Sequence, residues 1–177
     1  GAVEQLLRDA YETNRTDSRV GFEAMAELTI RKMRRGDVAT AIKLLESWNM
    51  APRSPSKSEP DPERTSLILE NSFVAVQDGE IVGVCSYILG KPGEAETASL
   101  AVDPSCLGQG VGYRLQDARL KEMRARGVRK VRTETDRPET IRWYVSNFRY
   151  RIVATKRKKH DFSRSDIDHW TVLELDM

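Results

Sequence analysis

Residues 99–115 read Ser-Leu-Ala-Val-Asp-Pro-Ser-Cys-Leu-Gly-Gln-Gly-Val-Gly-Tyr-Arg-Leu, and their order decides the fold. The opening residues are small and apolar and suit a strand that ends at Val102. Asp103-Pro104 then turns the chain. Gly108, Gly110 and Gly112 follow and open a helix. Glycine lets backbone amides approach an anion with no Cβ in the way. The helix start adds unpaired amides and the positive end of the dipole. Together these features make a diphosphate site.

Two other phosphate loops fit poorly. A Walker A loop needs Lys and Ser or Thr behind its last glycine, but Tyr113-Arg114 follows Gly112. A dinucleotide fold wants an acidic residue about 20 positions on, closing a second parallel strand. Glu134 and Asp136 lie slightly further than that, and the segments upstream read as an antiparallel meander.

Downstream, the helix is predicted to reach about Arg126, with Gly127 as its C-terminal cap. Residues 128–135 read as a strand. Pro138 suits the first turn of a helix reaching about Asn147. Residues 151–155 and 170–175 read as two last strands, joined by a polar hairpin connection. Upstream, residues 96–102, 81–89 and 72–77 alternate as strands, and Asp78-Gly79 is a hairpin signal. Residues 52–66 hold four of the seven prolines and read as an exposed loop that helps shape a binding site. Residues 28–33 read as an opening strand. Asp37 fits the N-cap of a helix carrying Val38, Ala41, Ile42, Leu44, Leu45 and Trp48. Residues 1–27 read as a helical appendage ahead of a domain spanning 28–177.

The expected fold is α/β: a mixed, mostly antiparallel sheet of about six to seven strands with helices on both faces. The strands flanking the glycine helix should be parallel, joined by a right-handed crossover.

Composition narrows the classes. A net charge of +2 gives no basic field of the kind that recruits nucleic acid. No apolar run approaches the roughly 18–20 residues that cross a bilayer. The opening residues lack a basic start followed by an apolar stretch, so no secretory leader is expected. The first residue, Gly1, reads as a processing remnant, and the chain as part of a longer polypeptide. Cys85 and Cys106 show no metal spacing and read as free thiols of a cytoplasmic protein. No metal site is expected.

With these residues in view, the chain resembles the GNAT superfamily of N-acetyltransferases. Leu100-Ala-Val-Asp-Pro, then Leu107-Gly-Gln-Gly-Val-Gly, then a helix ending at Gly127-Val128, is similar to that family's acetyl-CoA motif. The family pattern is Arg/Gln-x-x-Gly-x-Gly/Ala; Gly110 and Gly112 match, while Leu107 stands at the first position. Residues 141–150, Ile-Arg-Trp-Tyr-Val-Ser-Asn-Phe-Arg-Tyr, resemble the late motif, with Tyr144 at its tyrosine. Arg149-Tyr150 replaces the usual Gly-Phe, and Arg137 stands where an Asn often precedes the helix.

The resemblance implies acetyl-CoA as cosubstrate, with its pantetheine arm along Leu100, Ala101 and Val102. Its pyrophosphate would sit on the amides of Gly108, Gln109, Gly110, Val111, Gly112 and Tyr113. It also implies Tyr144 as proton donor to the departing thiolate. Glu134 and Glu96 are the candidate bases by their places on neighbouring strands, although the resemblance does not require a side-chain base. Arg114 and Lys121 are candidates to neutralise phosphates. Lys156-Arg-Lys-Lys159 reads as a solvated basic hairpin and His169 as a packing residue. The expected reaction is acetyl transfer to a primary amine, an amino acid or amino sugar first and a peptide second. A non-catalytic acyl-CoA-binding module is the alternative. Neither nucleic acid nor membrane is an expected partner, and a homodimer is left open.

Overall fold

The computed structural model describes residues 27–51 and 67–177. The expected helical appendage (but for Glu27) and the proline-rich loop at 52–66 lie outside the described residues.

Among the described residues ten α-helices and strands follow one another: β1 (Thr29–Lys32), α1 (Val38–Glu46), β2 (Ser72–Gln77), β3 (Glu80–Leu89), β4 (Glu94–Val102), α2 (Val111–Ala125), β5 (Lys130–Thr135), α3 (Pro138–Phe148), β6 (Arg151–Arg157) and β7 (His169–Asp176). The strands form one sheet in the order β1-β2-β3-β4-β5-β7-β6. Among the described residues only β4 and β5 pair in parallel, across the glycine helix, as expected.

Local chemistry accounts for the turns. Asp78 and Gly79 have φ of 51° and 77°, the two positive values that a type I′ hairpin needs. Helix α2 ends in a Schellman motif around Gly127, whose φ is 83°. Val128 N donates to Met123 O at 3.0 Å and Gly127 N to Arg124 O at 3.0 Å. That motif uses the Val128 amide, so β5 starts at Lys130 rather than at residue 128. Helix α1 stops early in the same way. Asn49, at φ 54°, takes the left-handed position, and Met50 N donates to Leu45 O at 2.9 Å.

Asp37 departs from expectation. Its carboxylate accepts from the Arg34 amide (2.7 Å) and from both guanidinium nitrogens of Arg31 (2.7 and 3.1 Å) and does not cap α1. The Arg31 hydrogen bond holds the Asp37 carboxyl below its ordinary range.

The sheet separates two clusters by the period-two alternation of strands. Val74, Val84 and Ala101 face α1 with Ala41, Leu44 and Leu45. Phe73, Ala75, Cys85 and Tyr87 face the other way, with Leu115 and Met123 of α2 and Tyr144 of α3. Gly83 sets the distance between α2 and the sheet. A Cβ there would stand 2.8 Å from Leu115 Cδ1 and 3.0 Å from Val111 Cγ1, so those side chains would have to shift to admit it.

Candidate active site

The site begins where two strands part. β4 and β5 pair at Glu94–Lys130, Ala95–Val131 and Glu96–Arg132, and there the pairing ends. β4 nevertheless runs on to Val102 and β5 to Thr135. A hydrogen bond between the Thr97 and Thr133 hydroxyls, 2.7 Å, closes the fork. β4 also carries a bulge: Ser86 pairs with Ser99 but Tyr87 pairs with Thr97, leaving Ala98 as the extra residue.

The fork opens into a cavity of about 540 Å³. Leu100, Ala101 and Val102 form one wall. The glycine loop forms the next. Gly108 and Gly110 sit at φ 77° and 79°, and a Cβ on either would meet nothing within 4 Å. These glycines are therefore required by backbone angle and leave open space above the loop. The α2 ladder starts with Arg114 N donating to Gly110 O (3.1 Å), and no side chain caps the helix. The amides of Val111, Gly112 and Tyr113 precede that bond and form the helix's anion-attracting end. Asp103 fixes the approach to the loop, accepting from the Ser105 amide (2.9 Å) and hydroxyl (2.7 Å). That pair of bonds, the hydroxyl first, holds its carboxyl below the usual range.

Gly108, Gly110, Val111, Gly112 and Tyr113 all line the cavity, whereas Gln109 does not. Leu107, 55% exposed, lies at its rim. The dimensions and donors of this cleft fit a pantetheine arm ending in a diphosphate. Arg114 is employed elsewhere, donating to Leu28 O at 2.6 Å, and Lys121 pairs with Asp117 at 2.8 Å.

Tyr144 reaches the same cavity from α3, 3% exposed. Trp143 and Tyr150 pack edge-on against its ring at 5.0 Å each. Burial pushes its phenol up to about 12, so it holds its proton throughout the neutral range. Glu134 also lines the cavity, but both of its oxygens are engaged, Oε1 with Arg132 (3.1 Å) and Oε2 with Lys156 (2.8 Å). Glu96 does not line the cavity. It is exposed beside Arg132, at 3.7 Å. The structure thus brings Tyr144, Glu134 and the glycine loop together and leaves Glu96 outside.

Several lining residues carry no sequence motif. Trp48, Met50, Phe162 and Trp170 form an apolar wall, and Arg137 stacks on the Trp48 ring at 4.8 Å. Asp136 is buried and latches the β6–β7 connection beside them. It accepts from Lys158 Nζ (2.8 Å), Ser163 Oγ (3.0 Å) and the Arg164 amide (2.9 Å). Lys158 is therefore an internal tie, not part of a solvated basic hairpin. His169, read as a packing residue, is exposed beside Asp168. Arg119, from α2, is a further lining residue, fully buried.

Among the described residues no group of three or more His, Cys, Asp or Glu side chains is placed to hold a metal, and no helix is long and apolar enough to cross a membrane.

A sequence profile of the acetyltransferase (GNAT) family matches residues 41–148. The chain belongs to that family. No curated protein sequence matches it significantly. Solved structures show the same fold at low identity. The Ard1 structure from Thermoplasma volcanium superposes with a TM-score of 0.66 at 22% identity, over 85% of this chain and 98% of that one. The ribosomal-protein-S18-alanine N-acetyltransferase from Escherichia coli gives 0.64 at 19%, over 84% and 93%. N-acetylglutamate synthase from Neisseria gonorrhoeae, solved with coenzyme A and N-acetyl-glutamate, gives 0.60 at 18%, over 84% of this chain and 35% of that one.

Proposed function

We propose that the protein transfers the acetyl group of acetyl-CoA to the primary amine of a small molecule, such as an amino acid or amino sugar. The observation that carries this reading is the fork between β4 and β5, whose cavity is lined by both the glycine loop and Tyr144.

In the proposed step the amine's lone pair forms the C–N bond to the acetyl carbon. The C–S bond breaks with its electron pair on sulfur. Tyr144 gives its proton to that sulfur, and the proton shed by the nitrogen restores the phenol through solvent. Amine and thioester become amide and free thiol. A phenol held neutral by burial suits the donor role. Glu134 suits a base less well, because taking a proton would break its pairs with Arg132 and Lys156. The amine is then bound already deprotonated or loses its proton to water.

A small acceptor is favoured by the apolar side chains of Trp48, Phe162 and Trp170 and by the Asp136 latch, all of which line the cavity. Two free thiols suit the reducing cytoplasm. The test is release of free thiol from acetyl-CoA across a panel of amino acids, amino sugars, polyamines and short peptides. Turnover with a small amine is the expected result. Turnover only with peptides would shift the acceptor class. Binding of acetyl-CoA with no turnover on any amine would select a non-catalytic acyl-CoA-binding module.

A further inference from the structure

Arg119 is a fully buried guanidinium whose hydrogen bonds all run to neutral acceptors. Nη1 donates to the carbonyls of Ser86 (2.9 Å) and Ser99 (2.7 Å), which flank the bulge at Ala98. Nε donates to Gln116 Oε1 at 2.6 Å, and Gln116 Nε2 in turn donates to the Tyr150 hydroxyl at 3.0 Å. Nη2 donates to the Tyr144 hydroxyl at 2.9 Å. A buried cation bound to neutral groups is costly. Salt pairing does not explain it, and packing alone would be served better by an apolar side chain.

The bond to Tyr144 has one polarity only. A guanidinium carries donors and no acceptor, so the phenol oxygen must accept there. The phenol's own hydrogen is then turned away from Arg119, onto the oxygen's other side. Arg119 and Tyr144 both line the cavity. The charge also acts on the chemistry. Burial raises the phenol, and the adjacent Arg119 charge pulls the other way. A phenol that must give up its proton during the step gains from a fixed positive charge at 2.9 Å, because its transient negative charge is offset where both side chains are buried.

We propose that Arg119 is a positioning residue for acetyl transfer. It aims the Tyr144 proton into the cleft, supports the phenolate formed during the step, and ties that donor to the bulge in the strand along which the cosubstrate lies. The proposal rests on the reading of Tyr144 as proton donor to the thiolate.

The test uses the full chain with acetyl-CoA and the amine found by the thiol-release screen. Arg119→Lys keeps the charge and Arg119→Gln keeps a donor without it. Each is first checked for a cooperative thermal transition. Arg119→Gln should lower kcat about 100-fold with acetyl-CoA KM within about 3-fold, and Arg119→Lys should recover at least a tenth of the wild-type kcat. In a Tyr144→Phe background, Arg119→Gln should cost less than about 3-fold, because its effect runs through the phenol. An unchanged kcat in Arg119→Gln, or the same loss in both backgrounds, overturns the proposal.

A crystal structure of the wild-type protein with CoA gives an answer even if Arg119→Gln does not fold. Tyr144 Oη should lie within hydrogen-bond reach of both Arg119 Nη2 and the CoA sulfur. A phenol turned away from the sulfur, or released from Arg119, overturns it. Failure of the wild type itself to bind CoA or release thiol would instead contradict the acetyltransferase reading.

Discussion

The indole nitrogen of Trp48 donates to the carbonyl of Val102 at 2.9 Å, joining the turn after α1 to the last residue of β4. The bond spans 54 residues of sequence and fixes the strand's end where the glycine loop departs. Trp48→Phe keeps a ring for Arg137 to stack on but leaves the Val102 carbonyl without this donor. Stability should fall by about 1 kcal/mol in urea unfolding, and acetyl-CoA affinity should drop several-fold by calorimetry. If neither moves, the bond does not organise the strand.

Tyr144→Phe removes only the phenol oxygen. With that oxygen serving as proton donor, kcat should fall about 100-fold or more while acetyl-CoA KM stays within about 3-fold. The variant also leaves one Arg119 N–H without its acceptor, a destabilisation of about 1–3 kcal/mol. Thermal melting should therefore accompany the kinetics. An unimpaired rate in folded protein removes Tyr144 from the mechanism.

Burial pushes the Cys85 thiol up from 9.0 to about 11. Between those values the unfolded chain has lost the proton and the folded protein keeps it. The folded form therefore binds more protons, and stability falls as pH rises. The contribution is fully present below pH 9.0 and lost through about pH 11, at up to about 1.4 kcal/mol per pH unit. Tyr87 and Tyr144, both raised by burial from 10.0 to about 12, extend the loss upward. Urea unfolding at a series of pH values should show this slope, and Cys85→Ala should flatten its lower part. An equal slope from pH 9 to 10 in that variant would falsify the assignment.

Arg149 stands at φ 61°, in the left-handed position that ends α3. A side chain there costs about 1–2 kcal/mol that glycine avoids. Arg149→Gly should raise the urea midpoint, by roughly 1 kcal/mol of stability. A lower midpoint would mean that the arginine side chain contributes more than its backbone angle costs.

Much of this was legible in the residues. The alternation of 72–102, the Asp78-Gly79 turn and the three glycines of 108–112 are local signals, and each element they predict is present. Two boundaries moved where backbone caps, at Asn49 and around Gly127, claimed amides that periodicity assigned to the next turn or strand, and three strands run one or two residues beyond their expected ends, β4 starting at Glu94, β6 ending at Arg157 and β7 spanning His169–Asp176. The loop and Tyr144, which line one cavity, stand in the short motifs on which the family resemblance rests. Arg119, Asp136 and Lys158 were not legible. On a helix, in a strand-to-helix turn or in a charge run they look like solvated residues, and the long-range pairs to Tyr144, Ser99 and Ser163 show that they are internal. Glu96 shows the converse. Alternation put it on a neighbouring strand, but the fork opens one residue later and leaves it beside Arg132, outside the cavity.

The central claim is that the glycine loop and the open strand pair hold acetyl-CoA. Calorimetric titration of the purified protein with acetyl-CoA, ATP and NAD, repeated on Gly110→Glu, tests it most directly. The account predicts micromolar binding of acetyl-CoA alone, abolished when a charged side chain fills the open space above Gly110. Folded wild-type protein that takes up no acetyl-CoA, or a Gly110→Glu variant with unchanged affinity, would contradict it.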